Sequence, residues 1–329
     1  MFLRGNPDKT EPAFDARPLK TKEIARFGEG TPLPWLDRHA LACVDASGDL
    51  RDVLKSTALA ITLFCACTGP AMAYAPDETP IVIGRSTLLE SKVLGQLRRI
   101  NVHTPADYAT SGKTYPVLFL LDGGEREDFP HIAGLAQLGE LSWTYREMIV
   151  VGIEGIDRRH DLTHPSTVAQ EQADFPTLGG SAAYRRFLSE ELKPWVAARY
   201  RTNGESAIMG ESLAGLFVIE TLLKQPTLFD AYIAASPSLW WSDQALARGA
   251  PADIARWPAL GSRKLYLTIG DEGSTMQEGV DKVMAAIGAA KPAGLTLVYD
   301  PMPHEQHSTI YHPAALKAFR TVWPGPRPD

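Results

Sequence analysis

Ser212 sits in the middle of Gly210-Glu211-Ser212-Leu213-Ala214, between a short apolar run at 206–209 and a run of helical character at 215–224. A strand, a sharp turn with serine at its apex and then a helix form a nucleophile elbow, which presents a hydroxyl for attack on an ester carbonyl. The last position of the motif usually holds glycine. Ala214 stands there instead, small enough for strand and helix still to approach closely.

A serine hydroxyl is a weak nucleophile at neutral pH and needs a base, and the base needs a third group to orient it. On this plan the acid and then the histidine follow the serine along the chain. Gly270-Asp271-Glu272-Gly273 follows one apolar run, and 301–309, which holds His304 and His307, follows the next. We favour Glu272 as the orienting acid, with Asp271 as the competitor. His307 is favoured as the base, with His304 as the competitor. The plainer alternative for the Asp-Glu pair is a solvated turn capping a helix that begins near Ser274. His312 reads as a surface residue at a helix start. The developing oxyanion needs two N–H donors. Leu213, at the helix N-terminus, is expected to supply one. Gly124 is expected to supply the other, with Gly123 close behind, because glycine lets the backbone approach substrate. An ordinary Gly-Gly turn is the alternative.

These residues need a scaffold that collects them at one edge. From about Tyr74 the pattern alternates strand-like and helix-like segments, as in an α/β domain. Residues 91–102 read as a strand pair. Runs at 116–121, 148–153, 232–235, 265–269 and 295–299 suit buried parallel strands. Helical spacing covers 183–200, with Phe187, Leu188, Leu192, Trp195 and Val196 on one face, and a helix over 313–322 closes the chain. Segments 154–180 and 236–262 lack clear periodicity and follow strands. Ligands bind at the carboxyl ends of parallel strands, so both are expected to be pocket walls.

The chain has 329 residues, 44% apolar content and a net charge of −6, all of it arising after residue 73. No basic block points to nucleic acid. Lys55, a short apolar core at 58–67, Gly69-Pro70 and Ala71-Met72-Ala73 describe a secretory signal peptide over 53–73, cleaved after Ala73. The apolar core is too short to span a membrane comfortably. A buried helix is the alternative. Residues 1–52, rich in charge, proline and glycine, read as a disordered extension or as sequence upstream of the true start, with Val53 as the alternative start. Residues 74–329 are then the catalytic domain, periplasmic or secreted, with no membrane insertion. Cys43, Cys65 and Cys67 all precede Ala73, so a mature chain would have no cysteine. His304 and His307 are one residue too close for an HExxH pair, and His160-Asp161 with His164 makes no standard set. Neither metal nor cofactor is expected.

Residues 91–323 resemble the esterase D-like family of α/β hydrolases, and within it the siderophore (enterobactin and bacillibactin) esterase-like branch. The likeness rests on 115–124, on 157–163 (Asp-Arg-Arg-His-Asp-Leu-Thr), on the 187–200 helix, on 229–241 with its Ser-Pro-Ser-Leu-Trp-Trp ending, and on His307-Ser308-Thr309. It implies an α/β-hydrolase fold, Ser212 as nucleophile, His307 as base and Glu272 as acid, although some members work with a Ser-His pair. His160 stands where the family usually has arginine, and Glu211 where histidine is common. Both are expected to line the pocket. Arg158 is expected to bind an anionic or catecholate substrate or to pair with Asp161 or Asp157. Of Trp240 and Trp241, one is expected in the core and one facing the pocket. The expectation is an exported serine esterase acting on a small-molecule ester. An acyltransferase using the same residues and a non-catalytic binding homologue are the alternatives. Siderophore trilactones, aryl-carbohydrate esters and simple acyl esters all fit, and the sequence leaves the oligomeric state open.

Overall fold

The computed structural model describes residues 78–326. The expected signal segment, the N-terminal extension and all three cysteines lie outside the described residues. The described residues from Thr79 onward form one unit. It is built on eight strands: β1 (Arg85–Ser91), β2 (Gln96–His103), β3 (Tyr115–Leu120), β4 (Ile149–Ile153), β5 (Thr202–Glu211), β6 (Ala231–Ala235), β7 (Arg263–Thr268) and β8 (Leu295–Tyr299). They form one sheet in the order β1-β2-β4-β3-β5-β6-β7-β8. The β1–β2 and β2–β4 pairings are antiparallel, and every other pairing is parallel.

All six residues of β3 are buried. Val117 and Phe119 join one hydrophobic core, and Leu118 and Leu120 join the other. Side chains alternate across a strand, so a continuous apolar run means both faces are covered. The principal helices are α1 (Phe129–Ser142), α2 (Arg158–Leu162), α3 (Ala169–Asp174), α4 (Ser181–Phe187), α5 (Lys193–Arg199), α6 (Leu213–Lys224), α7 (Trp241–Ile254), α8 (Ser274–Ala290) and α9 (Tyr311–Val322). Helices α1 and α9 cover one face, and α4, α6 and α7 the other. Helix α6 is buried along its length from Leu213 to Leu223, as suits the segment that follows the elbow.

Three boundaries differ from the sequence expectation. The first strand of the leading pair lies upstream, at Arg85–Ser91, and residues 92–95 form the turn. The expected helix over 183–200 is α4 and α5 joined through a π-helical turn at Leu188–Leu192. Segments 154–180 and 236–262 contain α2, α3 and α7. Helix α7 opens with Ser242, Asp243 and Gln244 all at positive φ, an opening that helical periodicity cannot register.

A buried ion pair ties α2 to the sheet. Arg98 of β2, fully buried, donates from Nη1 to Asp161 Oδ2 at 2.6 Å. Arg98 Nε and Nη2 have no partner, so the pair is incompletely satisfied. Removing one member of a buried pair costs about 3–5 kcal/mol, whereas replacing both with apolar groups is often neutral or better. Arg98→Met is therefore expected to lower the unfolding free energy in urea by about 3 kcal/mol or more, and Arg98→Met/Asp161→Leu to recover most of the loss.

Candidate active site

Strand β5 ends at Glu211 and α6 begins at Leu213, which leaves Ser212 alone at the turn with φ 60° and ψ −119°. Non-glycine residues rarely adopt that conformation, and it persists only where neighbours over-determine it. Here they do. Ser212 N–H donates to the Ala235 carbonyl at 3.1 Å, while its own carbonyl accepts from Leu216 and Ser238 N–H, each at 2.9 Å. A Cβ at Gly210 would lie 2.5 Å from the Ala214 Cβ. The motif's first glycine is thus required by close strand–helix contact, and the methyl group of Ala214 occupies the room that remains.

Glu272 and His307 arrive from beyond the ends of β7 and β8. His307 Nδ1 and Glu272 Oε2 are 2.6 Å apart. With the carboxylate ionised, Nδ1–H donates and Nε2 is left as the acceptor. Glu272 is itself fixed: its Oε1 accepts from the Ser236 hydroxyl and from Gly270 N–H at 3.2 Å. Burial opposes ionisation of Glu272, but the hydrogen bonds from His307 and Ser236 outweigh it and hold the carboxyl below its usual range. The hydrogen bond to Glu272 raises the His307 imidazole above its usual value, although burial works against this. Neither competitor makes the pair: Asp271 lines the cleft without bonding His307, and His304 is not in its lining. Asp271 is exposed, with its N–H bonded to the Glu305 carbonyl at 2.8 Å, and His304 is exposed.

Ser212, Glu272 and His307 open onto one cleft of about 420 Å³, walled by Ser238, Trp240 and Met276. In this conformation the Ser212 hydroxyl lies 3.2 Å from the Ser238 hydroxyl. Nucleophile and base are often loosely placed without substrate, and rotation of one side-chain bond redirects the Oγ. Ser236 and Ser238 were not singled out from the sequence. Their signal was the Ser-Pro-Ser ending of the β6 segment.

The other expected site residues are distributed unevenly. Trp240 is half-buried in the cleft wall, whereas Trp241 is fully buried and donates from Nε1 to the His164 carbonyl at 2.9 Å. Arg158 pairs with neither Asp157 nor Asp161. Its Nε meets both carboxylate oxygens of Asp122, at 3.0 and 2.9 Å, and it donates to the Glu211 carbonyl at 3.2 Å. Asp157 caps α2 by accepting from His160 N–H, and Asp161 is held by Arg98. His160 is 3.0 Å from Asp161 and packs against Gly180, outside the cleft lining. No residue of 154–180 lines the cleft; that segment braces it instead. Gly124 N–H, expected to face an oxyanion, donates to Glu127 Oε2 at 2.6 Å, and Gly123 N–H is taken by the Ile153 carbonyl. Leu213 opens α6, where N–H groups have no partner within the helix.

Glu211, expected to line the pocket, directly precedes Ser212 and is not among the residues lining the cleft. Its Oε1 is sealed from solvent without a hydrogen-bond partner, and burial raises its carboxyl to about 7. Burial likewise raises Asp128 to about 6. Among the described residues no group of three or more His, Cys, Asp or Glu side chains is placed to hold a metal ion, and no helix is long and apolar enough to cross a membrane.

The Esterase family model matches residues 91–313, a span that includes Ser212, Glu272 and His307. The chain belongs to this family. It is 33% identical over 144 residues to the ferri-bacillibactin esterase BesA of Bacillus subtilis, covering 39% of this chain and 49% of that relative. It is 26% identical over 195 residues to a siderophore triacetylfusarinine C esterase of Aspergillus fumigatus, covering 54% of this chain and 64% of that one. The chain thus spans about half the length of the first of these curated relatives and less than two thirds of the second. Among solved structures, an IroE-like serine hydrolase from Shewanella oneidensis superposes with a TM-score of 0.67 at 25% identity, over 73% of this chain and 80% of that one. The siderophore hydrolase EstB from Aspergillus nidulans gives 0.64 at 22% identity, over 77% and 100% respectively, and shares the fold. The α/β-hydrolase architecture follows from both.

If the Glu272 contact raises the His307 imidazole, removing that charge must lower it. By NMR titration the His307 ring is expected to titrate above 6.5, its ordinary value. In Glu272→Gln its midpoint should fall toward the ordinary value. An unchanged midpoint would mean that the pair is not formed in solution.

Proposed function

We propose that this protein is a serine esterase that hydrolyses carboxylic esters of small molecules through an acyl-enzyme on Ser212, with siderophore lactones and aryl or acyl esters within its range. The observation that carries this reading is the Glu272–His307 hydrogen bond, made at the mouth of the cleft that Ser212 also lines. Siderophore esters come into the range through the relatives, several of which are named for them.

The steps follow from the groups present. The Ser212 hydroxyl turns from Ser238 toward His307, and Nε2 removes its proton as Oγ bonds to the carbonyl carbon. Charge moves to the carbonyl oxygen, where Leu213 N–H and the N-terminus of α6 stabilise it. As the tetrahedral adduct collapses, the ester C–O bond breaks and His307 gives its proton to the departing alkoxide. Water then attacks the acyl-enzyme with His307 as base, releasing the acid and restoring Ser212. Glu272 remains ionised throughout and stabilises the imidazolium.

We also infer export. The positive start, short apolar core and small-residue end of 53–73 support a leader that is removed before the domain acts.

A panel of short p-nitrophenyl esters, a feruloyl ester and a catecholate trilactone tests the reading. Turnover of at least one is expected, with kcat reduced by about 10⁴-fold or more in Ser212→Ala. Absence of turnover by correctly processed protein, or turnover that survives in Ser212→Ala, would overturn it.

A further inference from the structure

The turn after β6 carries two serines that point to different partners. Ser238 meets the Ser212 hydroxyl. Ser236 donates its hydroxyl to Glu272 Oε1. The reaction steps make no use of this second hydroxyl, yet its surroundings are those of a fixed anchor.

Ser236 is fully buried, so water does not stand in for Glu272 as its acceptor. Its φ is 40°, a value that residues other than glycine rarely adopt and that persists only where neighbours over-determine it. Those neighbours lie on both sides. Ser236 N–H donates to the Thr268 carbonyl at 2.9 Å, which continues the pairing of Ala235 with Thr268 between β6 and β7. Pro237 is seated on α6, where a Cβ at Gly215 would lie 3.0 Å from the Pro237 Cα. The hydroxyl is thus aimed from a backbone that has no freedom to follow the carboxylate.

Glu272 needs such an anchor. Its Oε2 faces an imidazole that is about half exposed and cannot hold it still. Gly270 N–H, at 3.2 Å from Oε1, lies two residues away in the same turn and moves with it. Ser236, 36 positions earlier in the chain, ties that turn to the neighbouring strand.

We infer that, given the esterase reading on which this rests, Ser236 is a positioning residue: its hydroxyl fixes the Glu272 carboxylate in the orientation that presents Oε2 to His307 Nδ1–H. The turn it belongs to also holds Ser212, through the Ala235 carbonyl and Ser238 N–H. One rigid segment therefore registers nucleophile and acid against each other.

The test is a mutant cycle read by kinetics and by proton NMR. On a p-nitrophenyl ester that the wild type hydrolyses, Ser236→Ala is expected to lower kcat by about tenfold or more with KM unchanged. In a Glu272→Ala background the same change should cost less than about twofold, because the hydroxyl then has no carboxylate to hold. The low-field His307 Nδ1–H resonance, identified by its loss in His307→Ala, should exchange with water about tenfold faster or more in Ser236→Ala. Should the alanine variant fail to fold, Ser236→Gly removes the hydroxyl while suiting the positive φ. Losses that multiply in the Glu272→Ala background, or a proton resonance that exchanges as in the wild type, would overturn the positioning role and leave the esterase reading standing. A wild type that hydrolyses no ester and leaves Ser212 unlabelled by a fluorophosphonate would overturn the esterase reading, while the proton resonance still decides whether Ser236 holds Glu272 against His307.

Discussion

The contact between Glu272 and His307 sets the terms for the rest of the site. A carboxylate buried to 5% exposure meets an imidazole that is about half exposed. Glu272 cannot wander, because the Ser236 hydroxyl and Gly270 N–H hold its second oxygen. The ring is thereby given one tautomer and one direction. This needs β6, β7 and β8 to end at the same edge, since Ser236 follows the first, Glu272 the second and His307 the third. It also needs Ser212 to be presented from β5, the neighbour of β6. Parallel pairing supplies both conditions, because parallel strands deliver all their carboxyl ends to one side.

The elbow depends on the same neighbours. Ala235 and Ser238, from the end of β6 and just beyond it, hold the Ser212 backbone in its strained conformation. The β6 ending therefore holds both Ser212 and Glu272. Ser236 anchors Glu272, and the Ser238 hydroxyl contacts the Ser212 Oγ. A serine-rich turn at this point has a physical reason: short hydroxyl side chains reach both groups without filling the cleft.

The parts of this arrangement that rest on local pattern were legible in the sequence. β3 and β4 are unbroken apolar runs because both sheet faces are covered. The order of Ser212, Glu272 and His307 along the chain, each after an apolar run, placed the candidate residues, and the structure brings Glu272 and His307 into contact. Other features were hidden because their cause lies elsewhere in the chain. Helix α1 buries Ala133, Ala136 and Gly139 against its core, small residues that give little periodic signal. Arg158 finds Asp122, 36 positions earlier, while its nearer candidates are already engaged as a cap and as the partner of Arg98. Gly124 has the backbone freedom expected of an oxyanion donor, yet Glu127, three residues on, holds its N–H. Competition of that kind depends on where a carboxylate folds back, and composition does not record it.

Covalent capture bears most directly on the central claim that Ser212 becomes acylated with His307 as its base. Mass spectrometry of the wild-type protein quenched during turnover of a slowly deacylated ester is predicted to show one added acyl group. Peptide mapping should place that group on Ser212, and His307→Ala should abolish its accumulation. Turnover with no covalent adduct, or an adduct on another residue, would contradict the account.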